Sequence, residues 1–232
     1  MKFNKIVAFL IFAALVFALP AQTQTVTRAE TTAEEDYLST FEDIIIAELS
    51  ASDEYDNKFL ALQYIEDALA NSSSSRDMTQ ILASLDALAG EGIFNQSRTE
   101  GRLVNNFPDV RAKACDLLGQ LATPEAKVTL TKIVLADNEP MVVSAAVRSL
   151  GNIGIDPDDA VATIAFVQKK YAVLNPTSSL AFEILDAFEK LGPQVQDKAA
   201  MIQCISSIAT NYNYVTPVRD KAKALLKQYT GR

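Results

Sequence analysis

The sequence predicts an all-α chain folded as an α-solenoid of helical hairpins, one elongated domain, and three observations carry that expectation. A phrase recurs. Pro108-Asp109-Val110-Arg111-Ala112-Lys113-Ala114-Cys115-Asp116-Leu117-Leu118-Gly119 returns 32 residues later as Pro140-Met141-Val142-Val143-Ser144-Ala145-Ala146-Val147-Arg148-Ser149-Leu150-Gly151, with the proline, a valine, an alanine and the closing Leu-Gly in register. A second helical pattern separates the copies, so the repeating unit is a hairpin, and a fixed period of about 20 to 50 residues marks a stacked array. Finally, the eight glycines sit mostly at helix ends and alternating β-branched runs are nearly absent, which argues against strands.

Residues 1–21 read as a cleavable secretory signal peptide. Lys2 and Lys5 precede an apolar run from Ile6 to Leu19, and Leu19-Pro20-Ala21 ends on a small residue before Gln22. The competing reading is an uncleaved anchor, but the run of 14 falls short of the roughly 20 apolar residues that span a bilayer. The mature protein is therefore expected outside the cytoplasm, in a periplasm or the extracellular space, with membrane contact only if the segment is retained. Residues 22–33 are polar and threonine-rich, a disordered lead-in.

Residues 34–107 are expected to hold atypical N-terminal repeats. Leu38, Phe41, Ile45 and Leu49 recur at helical spacing, then Phe59, Leu62, Ile65 and Leu69 after about Asp53, then Met78, Ile81, Leu85 and Leu88 from about Asp77 to Gly90. Asn71 to Ser75 breaks the second helix. Residues 91–107 lack periodicity and form an irregular insertion containing Gly92, Arg98, Gly101, Arg102 and Asn105-Asn106, the kind of segment that is either functional or a plain insertion.

Residues 108–232 carry the regular repeats and a closing helix. Thr123-Pro124-Glu125 starts a helix with threonine at the cap and proline at the first helical position, followed by Ala126, Leu130, Ile133 and Val134; Asp156-Pro157 opens the next in the same way, with Ala160, Ile164 and Val167. Ala187, Leu191 and Gly192 restate the phrase, with Met201, Ile205 and Ile208 on the partner helix. Pro217-Val218-Arg219, Ala222 and Leu225 restate it once more. On this reading the alanine lets two helices of a hairpin approach and the glycine takes the left-handed position that ends the helix.

These residues resemble the HEAT-repeat family of helical-hairpin solenoids. Pro108, Val110, Arg111, Ala114, Leu118 and Gly119 match its first-helix pattern. The second copy has Val143 in place of the arginine, the third lacks both valine and arginine, and the last has Lys227 in place of the glycine. The resemblance covers roughly 107–229 and implies a right-handed superhelix whose second helices line a concave, protein-binding face. The exposed positions of that face would be Glu125, Thr129 and Lys132 in one repeat and Asp159, Thr163, Phe166 and Lys170 in the next, with Phe166 at the position of Lys132 and able to anchor a partner or to pack into its neighbour. Arg98 and Arg102 of the insertion join these as candidate partner contacts.

Composition excludes much chemistry. The chain has no histidine and two cysteines, which removes the usual general base and an ordinary structural zinc site. No GxSxG, phosphate-binding glycine loop or SxxK motif is present, so no catalytic, cofactor or metal residues are assigned and the chain is read as non-enzymatic. A lyase-like enzyme, which some HEAT-like proteins resemble, is the third reading. Removing the signal peptide leaves 19 basic against 29 acidic residues, a poor match for nucleic acid. Cys115 and Cys204 fall about two hairpins apart, too far for a disulfide, and are expected as buried free thiols. Tyr212-Asn213-Tyr214 is expected to close a loop by packing. Asn71-Ser72-Ser73 and Asn95-Gln96-Ser97 fit the glycosylation acceptor pattern.

The function expected is an exported scaffold that binds a protein or peptide on the concave face. The alternative is weak head-to-tail self-assembly. Residues 28–56 hold ten acids against Arg28, whereas 217–232 hold five basic residues against Asp220, so in that alternative the opposite ends join head to tail in a salt-sensitive contact.

Overall fold

The computed structural model describes residues 33–71 and 76–231, all within one compact unit spanning 31–232. The expected signal peptide, and the lead-in up to residue 32, lie outside the described residues, as do residues 72–75 of the polar break after the second helix. Ten helices occur among the described residues: α1 Ala33–Ala51, α2 Tyr55–Asn71, α3 Thr79–Ala89, α4 Pro108–Leu121, α5 Pro124–Ala136, α6 Pro140–Ile153, α7 Pro157–Leu174, α8 Ser178–Leu191, α9 Ala199–Thr210 and α10 Thr216–Thr230. They stack in two layers. In one, α2, α4, α6, α8 and α10 follow each other side by side; in the other, α1, α3, α5, α7 and α9 do the same. The all-α helical solenoid is therefore present, and the layering runs without a break through the segment before residue 108.

One expectation about strands is corrected locally. Within the insertion, β1 (Arg98–Thr99) pairs antiparallel with β2 (Arg102–Leu103). Glu100 and Gly101, with φ of 51° and 81°, form the tight turn between them, and paired positive φ values are what a two-residue hairpin of matching twist needs.

The core is a seam between the layers. Val110, Ala114, Leu118, Leu130, Ile133, Val142, Ala146, Leu150, Ile164, Leu185, Phe188 and Ile205 are all essentially solvent-free. The recurrent alanine and glycine act differently from the sequence reading. Gly119 and Gly151 lie inside α4 and α6, and the left-handed residues that end those helices are Ala122 and Gly154. A Cβ on Gly119 would sit 2.5 Å from Ser149 Oγ, and one on Gly151 would sit 2.8 Å from both Cα and Cβ of Ala187. Glycine is thus required where successive helices of the same layer touch, α4 on α6 and α6 on α8.

Caps divide similarly. Thr123 accepts the backbone N–H of Ala126 at 3.2 Å, as expected of an N-cap. Asp156 does not cap; it is left-handed (φ 45°), and its carboxylate instead accepts from Lys127. Cys115 and Cys204 are buried free thiols, and burial pushes both thiol pKa values up.

The two ends of the stack differ. In α1 the inward side carries Ile46, with Glu42 and Asp43 held by Arg76 at 2.8 and 2.5 Å. The apolar stripe read from the sequence is real but Leu38, Phe41 and Ile45 are exposed rather than buried, and Phe59 of α2 is exposed too. At the other end, Asp220, Lys223 and Lys227 form the exposed side of α10. The basic charge counted there is largely engaged: Lys221 pairs with Asp186 and Glu189, Lys223 with Asp220 at 2.9 Å, and Arg219 lies over the Tyr212 ring at 5.0 Å. Tyr214 is packed in the expected loop, whereas Tyr212 stands in solvent.

Candidate partner-binding groove

Where α3 and α5 lie side by side, the chain leaving α3 folds over the gap between them and leaves a cavity of about 360 Å³. Asp86 of α3, Phe94 and Asn95 of the following turn, and Thr129 and Lys132 of α5 line it. The turn arises because the Gly90 carbonyl accepts from the N–H groups of Ile93, Phe94 and Asn95 at 3.1, 2.8 and 3.2 Å. That local winding lays the Phe94 ring against Gly90, with 55% of the residue left exposed.

A buried polar network fixes this turn to the stack. Lys58 of α2 donates to Glu91 at 2.9 Å and to the Ser50 carbonyl, while Asn105 donates to the other Glu91 oxygen and to the Asn95 carbonyl at 2.7 Å. The Asn105 side-chain oxygen in turn accepts from Ser97 N–H. Gly92, at φ 71°, passes so close to the Asn105 carbonyl that a Cβ would lie 2.6 Å from it. Arg111 joins the same network. It donates to Asp137 at 2.7 Å, to Asn106 at 2.8 Å and to the Glu91 carbonyl at 3.2 Å, and is itself almost fully buried. The Tyr171 hydroxyl donates to the Asp137 carbonyl, and burial pushes its pKa up to about 12. The irregular segment 91–107 is therefore a braced element: each buried charge has a partner, as burial demands.

The residues singled out from the sequence are brought together only in part. Thr129 and Lys132 share the cavity. The expectation of an exposed Thr129 is corrected: it is buried, because its hydroxyl donates to the Asp86 carboxylate across the α3–α5 contact. Lys132 is exposed at the rim, and Glu125 is exposed in the first turn of α5. Asp159 is solvent-facing but accepts from Lys127 at 2.5 Å, so it serves the α5–α7 contact. The Lys127 ammonium is partly desolvated, which opposes its charge, yet the hydrogen bonds to Asp159 and Asp156 prevail and raise its pKa. Phe166 is 60% exposed on α7, which answers the choice between anchor and packing residue in favour of exposure. Thr163 is half-buried beside it, and Lys170 is half-buried, donating to Asn138 at 3.2 Å. Arg98 folds back on Gly101 and Gln96, and Arg102 is exposed on the hairpin; neither lines the cavity.

Sequence reasoning missed Asp86, Phe94 and Asn95. Asp86 stands at no position that helical spacing or a motif singles out. The one available signal for Phe94 was an aromatic inside a stretch without periodicity. Chemically the groove offers an exposed ring, one ammonium and one carboxylate. That set suits recognition of a polypeptide segment. Among the described residues no group of three or more cysteine, aspartate or glutamate side chains is placed to hold a metal ion.

Residues 100–169 match the family model for HEAT repeats, a span running from the insertion hairpin into α7. No curated protein and no solved structure matches the chain.

Proposed function

We propose that this HEAT-repeat protein is an exported, non-enzymatic scaffold that holds a peptide segment of a partner along its second-helix layer, centred on the groove between α3 and α5. HEAT repeats generally mediate protein–protein contacts and are typically non-enzymatic. The observation that carries the reading is the cavity in which Phe94 is presented beside Lys132 and Asp86 on a turn that buried pairs hold rigid. A surface already ordered loses little entropy on binding, so a small aromatic anchor and two charges gain effect there. Phe166 on the neighbouring helix extends the same layer. Export rests on the basic start, apolar run and small-residue cleavage site of residues 1–21.

The test is to pan a displayed peptide library on the purified chain and on the double variant Phe94→Ser/Lys132→Glu. The expected result is an enriched consensus with an apolar residue near an acidic one, lost from the double variant. An identical consensus on both proteins would refute the groove. Export is checked separately by intact mass: the protein recovered outside the cytoplasm should begin at Gln22, and a retained Met1 would contradict cleavage.

A further inference from the structure

The N-terminal end of the stack carries a second surface with different chemistry. Along one flank of α1, Glu34, Leu38, Phe41, Ile45 and Glu48 recur at spacings of four, three, four and three, which places them on a single stripe. Leu38 is 59% and Phe41 56% exposed. With Tyr64 of α2 they border a groove of about 390 Å³. Inside a stack this position would be covered by a preceding helix, and among the described residues α1 is the first helix of its layer. Glu42, which also lines the groove, and Asp43 are both paired with Arg76; Glu34 and Glu48 are exposed at either end of the apolar stripe. Residues 33–56 contain nine acids and no lysine or arginine.

We propose that this end docks an amphipathic helix of another protein, with apolar residues at three- and four-residue spacing and basic residues bracketing them, in the place a preceding repeat would occupy. Helices pack along such 3–4 stripes, and opposite charges at the flanks set register and choice of partner. The stripe from Glu34 to Glu48 spans about 21 Å, enough for four turns of a partner helix. A second copy fits worse. Two α1 stripes set face to face bring carboxylate against carboxylate in either direction, and the far end of the stack presents the polar side of α10, with Asp220, Lys223 and Lys227 exposed. This surface is distinct from the α3–α5 groove and stands or falls without it.

The test uses two labelled 18-residue helical peptides, each with leucines in a 3–4 stripe, one bracketed by lysines and the other by glutamates. They are titrated into the full chain, whose oligomeric state is followed by light scattering. The lysine peptide should bind, and Leu38→Gln/Phe41→Gln should weaken it by about tenfold or more. Glu34→Gln/Glu48→Gln should weaken it less and flatten its salt dependence. The glutamate peptide should not bind, and Phe94→Ser should leave binding unchanged. All substituted residues are exposed, and circular dichroism will show that the variants fold. Equal binding of both peptides, or undiminished binding to the Leu38/Phe41 variant, would overturn the proposal. So would a wild-type dimer that the same variant dissociates, which would assign the face to a second copy.

Discussion

The two ends of the stack solve the same problem in opposite ways. A helical repeat array must do something with the faces that its interior repeats bury against each other. At the C-terminal end the register is kept and its chemistry changed: where α8 has Leu185 and Phe188, both buried, α10 has Asp220 and Lys223, both exposed. At the N-terminal end the chemistry is kept and no preceding helix stands over it among the described residues, so Leu38, Phe41 and Ile44 of α1 are exposed. The first end is terminated; the second, among the described residues, is left open. The difference teaches that the helical rhythm alone does not say where a stack stops, because an apolar stripe can serve the core or a partner.

The comparison is sharpened most by removing buried charges and rings. Lys58→Met leaves Glu91 buried without its ammonium and should lower stability by about 3–5 kcal/mol, the usual result of breaking one side of a buried pair. Phe188→Ala, beneath the C-terminal cap, should cost a similar ~3–5 kcal/mol, whereas Phe41→Ala at the open end should stay within about 0.5 kcal/mol. Urea unfolding midpoints at constant slope measure all three. A large loss from Phe41→Ala would mean that the open end is packed in solution.

Gly151→Ala should cost roughly 1–3 kcal/mol, because the new methyl meets Ala187 backbone and the two helices must separate. At the C-terminal end, Lys221→Met removes a partly exposed ion pair and should cost about 1 kcal/mol or less. The mildest change in energy has a visible consequence for assembly. Asp220→Leu/Lys223→Leu should turn the terminated end into a second apolar face, so that light scattering shows concentration-dependent chains of copies. A strictly monomeric double variant would show that polarity is not what terminates this end.

The fold was legible because its signals are local. Proline at the helix start, apolar residues three and four apart, and the Val-Arg and Leu-Gly steps placed α4 to α10 and the hairpin rhythm. What periodicity cannot supply is the identity of the neighbour. It found Leu38, Phe41 and Ile45 but not the direction they face, and it assigned Gly119 and Gly151 to helix ends when they sit at helix crossings. The groove was half legible. Repeat register led to Lys132 and Thr129 on α5 and to the exposed Phe166 on α7. Asp86, Phe94 and the bracing pair Lys58–Glu91 depend on contacts between residues far apart in sequence, 33 positions in the case of that pair, which no local pattern encodes.

The most direct test of an open, apolar N-terminal end is the fluorescence of an uncharged apolar-surface dye such as Nile red titrated into the native chain. The open end predicts an enhancement for wild type before any unfolding, reduced by Leu38→Gln/Phe41→Gln well beyond the reduction from Phe94→Ser. An enhancement that survives the Leu38/Phe41 variant, or appears only as the protein unfolds, would contradict it.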